Sequence, residues 1–358
     1  MLNFILKRIF YGFLVILGVV VLVFVLFNIL PGDPAQMMLG QRSDQESIDM
    51  INKDLGLDKP LSTQFLYYLN DLSPFSIHNN NPEKEFYLDN EKYNYLKLLV
   101  IGESVVVIKK PYLRRSYQSK KKVSEIMSEA FPNTIILALV SMSFAFIVGV
   151  ILGGLGAIFN GTIFDKLILF VSTIGMSLPS FFAAILFAWF FAFVLSDITN
   201  LSMFGSLYSV DDMGNGQYLN LKNIILPAAT LGIRPLAVIS ELTKSSMLEV
   251  FSQDYIRTAK AKGLSKFQVI YHHVFKNSMN SVLTSISGWF ASLLAGAVFV
   301  EYIFDWKGVG SVIVDGLEKY DFPVVMGALL IICLLLVLVN IIVDLLYGLL
   351  DPRVRLTK

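Results

Sequence analysis

Five segments of this 358-residue chain run for at least 22 residues without a charged side chain, and a soluble core of ordinary size has no room for that much apolar surface. A helix rises about 1.5 Å per residue, so about 20 apolar residues cross a hydrocarbon layer of roughly 30 Å. The segments are residues 9–30, where Asn28 is the only strongly polar side chain, and 134–159, 167–196, 279–300 and 322–343. A sixth candidate, 224–240, is shorter and carries Arg234 between Pro227 and Pro235. We count it because six spans give a consistent topology and five do not. Composition agrees: 55% of residues are hydrophobic and 16% charged, against roughly 25% charged in soluble domains. The expected fold class is an all-α polytopic membrane protein with six transmembrane helices and a long extracytoplasmic loop between spans 1 and 2. A net charge of +1 excludes a strongly basic nucleic-acid binder and an acidic disordered chain. The single cysteine, Cys333, excludes an internal disulfide and a Cys-rich metal site.

The first span follows Lys7-Arg8, is too long for a signal peptide and has no small-residue cleavage site behind it, so it reads as an uncleaved anchor. Short-loop charges set the orientation. With both termini in the cytoplasm, Lys7, Arg8, Lys166, the 246–278 segment and the tail residues Arg353, Arg355 and Lys358 are all inside. The 246–278 segment has five Lys/Arg against two acids, whereas the outside segments 197–222 and 301–321 lean acidic. Residues 31–131 hold 13 basic and 14 acidic side chains, but loops this long translocate largely regardless of charge. The domain plan is an anchor over 1–30, an extracytoplasmic subdomain over 31–131, a core of five spans over 132–350 and a cytoplasmic tail over 351–358. Within the loop, 96–101 and 104–108 are β-prone runs separated by Gly102-Glu103, a hairpin pattern, and Asn79-Asn80-Asn81-Pro82 reads as a turn.

The most informative cytoplasmic stretch is 250–277. Phe251, Tyr255, Thr258, Ala259 and Lys262 recur at helical spacing, and Gly263 suits a C-cap because it adopts positive φ without penalty. Ser265-x-x-Gln268 then has the form of a capping box, and Phe267, Ile270, Tyr271 and Val274 make the apolar stripe of a second helix. Two readings are open: an amphipathic loop lying on the inner leaflet, or a rigid docking element for a cytosolic partner.

The residues Asp254-Tyr255-Ile256-Arg257-Thr258-Ala259-Lys260-Ala261-Lys262-Gly263-Leu264-Ser265 resemble the coupling loop of ABC importer permeases of the dipeptide/oligopeptide/nickel family. Arg257-Thr258-Ala259 stands where that motif has Glu-Ala-Ala, with Gly263 in register. Similar family signatures are Leu30-Pro31-Gly32-Asp33-Pro34, Leu55-Gly56-Leu57-Asp58-Lys59-Pro60-Leu61, Ser177-Leu178-Pro179-Ser180-Phe181, Tyr320-Asp321-Phe322-Pro323 and the ending Asp351-Pro352-Arg353. The likeness covers nearly the whole chain except about 74–112, which reads as an insertion, and it is to the first permease of the pair. It implies a type I importer fold, a second homologous permease, two cytosolic ABC ATPases and an extracytoplasmic substrate-binding protein. It also implies a bacterial plasma-membrane location.

No G-x-x-x-x-G-K-[ST] phosphate loop occurs, so ATP and Mg are expected on the ATPases and this chain is expected to be a transport subunit without bound cofactor. The resemblance places Asp254, Tyr255, Arg257, Thr258, Ala259, Lys262 and Gly263 at the ATPase. Candidates for the translocation path or its gates are Pro179, expected to kink the third span; Arg234, a costly charge within a span; Glu301 at the outer end of the fifth span; and Asn340 in the sixth. Each also has a plainer reading: a packing kink, an ion pair with a neighbouring acid, a solvated helix end, and hydrogen bonding to another helix by Asn340 and Asp344, which share a face. His272 and His273 lack metal-ligand neighbours. Peptides or similar small cargo are the expected substrate. The alternatives are a nickel or metal-chelate importer and, from another class, an ATP-independent secondary carrier. For the carrier, neither repeats nor a buried carboxylate relay are evident.

Overall fold

The computed structural model describes residues 2–29, 49, 52, 57–81, 84, 86–90, 92–210 and 216–350. The chain divides into two compact units. One comprises residues up to Ile16, Ala130–Val314 and the chain from Ile332, and the other comprises Leu17–Glu129 and Asp315–Ile331.

The long helices fall on the uncharged runs and on the shorter candidate that carries Arg234. They are α1 (Leu2–Ile29), α3 (Val123–Ile158), α7 (Ile225–Phe251, entered through a 3₁₀ turn at Leu221–Ile224), α10 (Lys276–Ile303) and α12 (Phe322–Leu350). α1, α3, α7 with its 3₁₀ entry and α12 contain stretches long and apolar enough to cross a membrane. The fifth expected span falls on α10, 28 residues of helix and about 40 Å at the ordinary rise.

The third expected span is not one kinked helix. It is α4 (Ile163–Ser177) followed by α5 (Ser180–Phe187), with a π-helical continuation at Ala188–Val194, and the two parts are bent by 113°. Pro179 is the cause. It drives the preceding Leu178 to the extended φ −74°, ψ 130° and itself stands outside both helices as the N-terminal cap of α5. The expectation of a kink within a helix is corrected to a full break.

In the first unit the core gathers Leu137, Met142 and Ala145 of α3, Ala184 of α5, Leu226, Leu231 and Ile239 of α7, and Val282, Ala297 and Val300 of α10. Glycines let α3 and α7 touch backbone to backbone. A Cβ on Gly153 would stand 2.3 Å from the Ser240 carbonyl oxygen, and one on Gly149 would stand 2.9 Å from that of Leu236. Spaced four apart, they form a small-residue seam of the kind that joins spanning helices where apolar burial gives no net drive.

The second unit contains α2 (Leu61–Leu72) and a three-stranded antiparallel sheet, β1 (Phe75–Asn79), β2 (Tyr95–Ile101) and β3 (Ser104–Lys109), in the order β1-β3-β2. β2 and β3 form a hairpin around Gly102, whose φ is +61°, where the sequence places it. Asp71 of α2 anchors this unit. Nearly fully buried, it accepts from the Tyr93 hydroxyl at 2.6 Å and pairs with Lys92 at 2.9 Å and Arg114 at 3.3 Å. Asp321, just before α12, accepts from the backbone N–H of Tyr117 at 2.9 Å and from the Ser116 hydroxyl. The signatures at 30–34 and 351–353 and the tail expected to be cytoplasmic lie outside the described residues.

Candidate functional site

α7 ends at Phe251, and after Ser252-Gln253 the chain turns into a short helix, α8 (Asp254–Ala261). Its polarity follows from which residues it buries. Ile256 (0% exposed) and Ala259 (6%) pack into a cluster with Ala157 at the end of α3, Met247 of α7, and Val269 and Val274 further along. Asp254, Tyr255, Arg257, Thr258 and Lys262 are exposed. Asp254 and Arg257 face each other at 3.5 Å across one helical turn, well in solvent, where such a pair contributes little. Tyr255 accepts a 3.2 Å hydrogen bond from the Asn277 side-chain amide. Grouping Ala259 with the docking face is therefore corrected: its methyl belongs to the root that fixes α8 to α3 and α7.

Gly263 ends α8 at φ +82°, and its N–H donates to the Lys260 carbonyl, as expected of a C-terminal glycine. Ser265 then caps α9 (Lys266–Gln268) through a reciprocal capping box with Gln268. Beyond it the chain is π-helical over Val269–Phe275 before entering α10. That geometry splits the expected apolar stripe. Val274 is buried, while Phe267 (73% exposed) and Tyr271 (59%) stack on each other outside, ring centroids 6.0 Å apart. A period of 3.6 cannot anticipate this, because a π-helix turns each residue by less.

The path candidates separate. Arg234 of α7 is exposed and has no ion pair among the described residues, so the expected pair with an acid on a neighbouring helix is not found. It lies on a narrow uncovered stripe that continues through Glu241, Ser245 and Glu249. Helices α1, α3 and α12 instead expose Leu, Ile, Val and Phe. Pro179 is exposed at the break, and Asn340 is exposed on α12. The Asp344 side chain lies outside the described residues.

Glu301 is not a solvated helix end. It is fully buried, its Oε2 accepts from the Gly310 N–H at 2.6 Å, and a Cβ on Gly308 would fall 2.4 Å from its carboxylate. The same loop is pinned by the Trp306 indole N–H to the Asn133 carbonyl (3.0 Å) and by the Val309 N–H to the Thr134 hydroxyl (2.8 Å). Glu301 thus braces the turn between α10 and α11 (Val309–Glu318).

Sequence reasoning missed Asp165 and Lys244, which meet at 2.5 Å between α4 and α7. Each is a single charge at the margin of a span, and nothing in the sequence pairs positions so far apart.

Residues 145–356 match the family described as binding-protein-dependent transport system inner membrane component, and residues 1–81 match that family's N-terminal region. The chain belongs to this family. Its relatives include the di/tripeptide transport system permease protein DppB of Pseudomonas aeruginosa, 34% identical with 99% of both chains covered. The dipeptide transport system permease protein DppB of Escherichia coli K12 is 34% identical with 100% of both chains covered. A putative peptide transport system permease protein of Brucella abortus is 35% identical over 98% of each chain. Among solved structures, the MetNI methionine ABC transporter in inward-facing conformations matches with a TM-score of 0.51 at 14% identity, covering 64% of this chain and 97% of that one. That likeness concerns the fold. The protein is thus a multi-pass inner-membrane permease of the ABC importer type, a transport subunit that works in a complex with other chains.

Proposed function

We propose that this permease carries peptides or similar small solutes from an extracytoplasmic binding protein into the cytoplasm, driven by ATP hydrolysed on two separate ATPase subunits, with a second homologous permease completing the pathway. The relatives that match it end to end are named for dipeptide, di/tripeptide or peptide transport. The observation that carries the reading is α8. Its root of Ile256 and Ala259 is fixed in a core shared with α3 and α7, while Asp254, Tyr255, Arg257, Thr258 and Lys262 are presented outward. A short helix held this rigidly transmits a push to the spans behind it. With the N-terminus inside, as the short-loop charges favour, α8 is cytoplasmic and the β-sheet of the second unit faces the binding protein's compartment. ATP closing the ATPase pair then biases the permeases between inward- and outward-open states.

The uncovered stripe of α7 fits the path. A charge on a spanning helix is costly against lipid and is tolerated facing water or a partner, and Arg234 offers a counter-charge to a peptide carboxylate. Affinity purification of the chain from native membranes in mild detergent, with mass spectrometry, tests the assembly. The expected companions are a homologous permease and a phosphate-loop ATPase; a chain recovered alone that supports uptake without ATP contradicts the reading. In the working complex, Arg234→Ala is expected to raise the concentration for half-maximal peptide uptake at least several-fold. Unchanged uptake removes Arg234 from the path.

A further inference from the structure

Asp165 sits in the first turn of α4, three residues after its cap Thr162, and only 5% of it is exposed. Oδ2 accepts from the Gly161 N–H at 3.0 Å, and Oδ1 accepts from the Lys244 ammonium at 2.5 Å. Lys244 lies on α7 seven residues before its end at Phe251, about 10 Å along the axis from the point where the chain turns into α8. A Cβ on Gly156 of α3 would meet Lys244 at 3.4 Å and Asp165 at 3.5 Å, so the pair is covered from a third helix. One turn further along α7, Met247 is in the cluster that roots Ile256 and Ala259.

The helices joined here carry different loads. α3 and α7 are already fused by the glycine seam at Gly149 and Gly153. At the level of its first turn, the described charged link from α4 to that body is this pair; further along, the two helices pack directly, with Gly175 against Ile233. Beyond α4 the chain breaks by 113° at Leu178-Pro179 and continues as α5.

We propose that Asp165 and Lys244 are positioning residues that clamp the first half of the broken span to the stem of the coupling helix, so that displacement of α8 is delivered to α4 and, past the break, to α5. The inference rests on the reading of α8 as the ATP-driven element. Asp165 is nearly enclosed while the Lys244 side chain is 21% exposed, so removing Lys244 strands a carboxylate away from water. A pair acting as one unit also gives non-additive variants.

The test uses the whole complex, purified through a tag on this chain and reconstituted in proteoliposomes with its binding protein, with radiolabelled dialanine as the probe. The readout is peptide transported per ATP hydrolysed, which a merely structural role leaves unchanged in whatever complex assembles. Asp165→Asn and Lys244→Met are each expected to lower that ratio about tenfold while hydrolysis continues. The double variant is expected to be no worse than the poorer single, and Lys244→Arg to stay close to wild type. An unchanged ratio in both singles, or losses that multiply in the double, overturns the clamp. Should neither neutral variant assemble, Asp165→Glu keeps both charges and moves the carboxylate by one methylene; a lowered ratio supports the clamp and an unchanged one overturns it. Wild-type complex that shows no ATP-dependent uptake fails the importer reading itself, and that result is visible before any variant is made.

Discussion

Glu301 shows how far one side chain can depart from its sequence reading. An acid at the end of an apolar run suggests solvent, yet this one is wholly enclosed, with Gly310 donating to it and Gly308 leaving it space. Gly308→Ala places a methyl where the carboxylate is and is expected to cost about 1–3 kcal/mol, the usual range for overpacking. Thermal unfolding of the purified complex checks this, and an unshifted midpoint contradicts the brace. A second residue-scale expectation concerns Lys109 in the second unit. Its ammonium donates to the carbonyls of Asn70 and Asp71 at 2.7 and 2.8 Å, but burial pushes its pKa down to about 8. Between that value and 10.5, where the unfolded lysine titrates, the unfolded chain binds more protons, so stability of the unit rises with pH. Burial also raises the hydroxyls of Tyr68, Tyr93 and Tyr112 above their ordinary 10.0. Unfolding then releases protons above pH 10, and stability turns down. Pulse proteolysis of the full-length protein across pH 7–11 is expected to show greatest protection near pH 10, with the rise from pH 8 missing in Lys109→Met.

At the scale of elements, the sequence carried the local caps and turns and lost the breaks. Helix runs, the Gly102 hairpin, the Gly263 cap and the Ser265 capping box were legible because each is written in adjacent residues. The inward face of α8 was not, because Ile256 and Ala259 are chosen by Met247 and Val274 on the flanking elements and by Ala157 far away in the chain. Nor was the 113° break, since Pro179 announces a disturbance but its size depends on what the two halves pack against. The C-cap yields its own test. Gly263 stands at φ +82° with nothing within 4 Å of an added Cβ, so a substitution meets backbone strain alone. A β-branched residue there costs on the order of 1–3 kcal/mol locally and alters the exit of the chain from α8. Gly263→Val is expected to leave ATP hydrolysis running while uptake falls; normal uptake removes the hinge from the account.

At the scale of the molecule, family membership rests on end-to-end likeness to peptide permeases, and the feature of the fold that fits such work is one rooted, outward-facing helix. Long apolar runs made the membrane class legible from the sequence alone. Ion pairs and hydrogen bonds between segments distant in the chain, such as Asp165 to Lys244 and Asp321 to Tyr117, were not, because single charges carry no address for their partners. The most direct test of the central claim is photocrosslinking in native membranes, with a photoreactive phenylalanine analogue replacing the exposed Tyr255 on α8 and, separately, the buried Ile256. The expected result is an adduct between the Tyr255 probe and a phosphate-loop ATPase that weakens or strengthens with added nucleotide, and none from the Ile256 probe. A Tyr255 probe that captures only lipid, with or without nucleotide, contradicts the assignment of α8 as the point where ATP hydrolysis enters the permease.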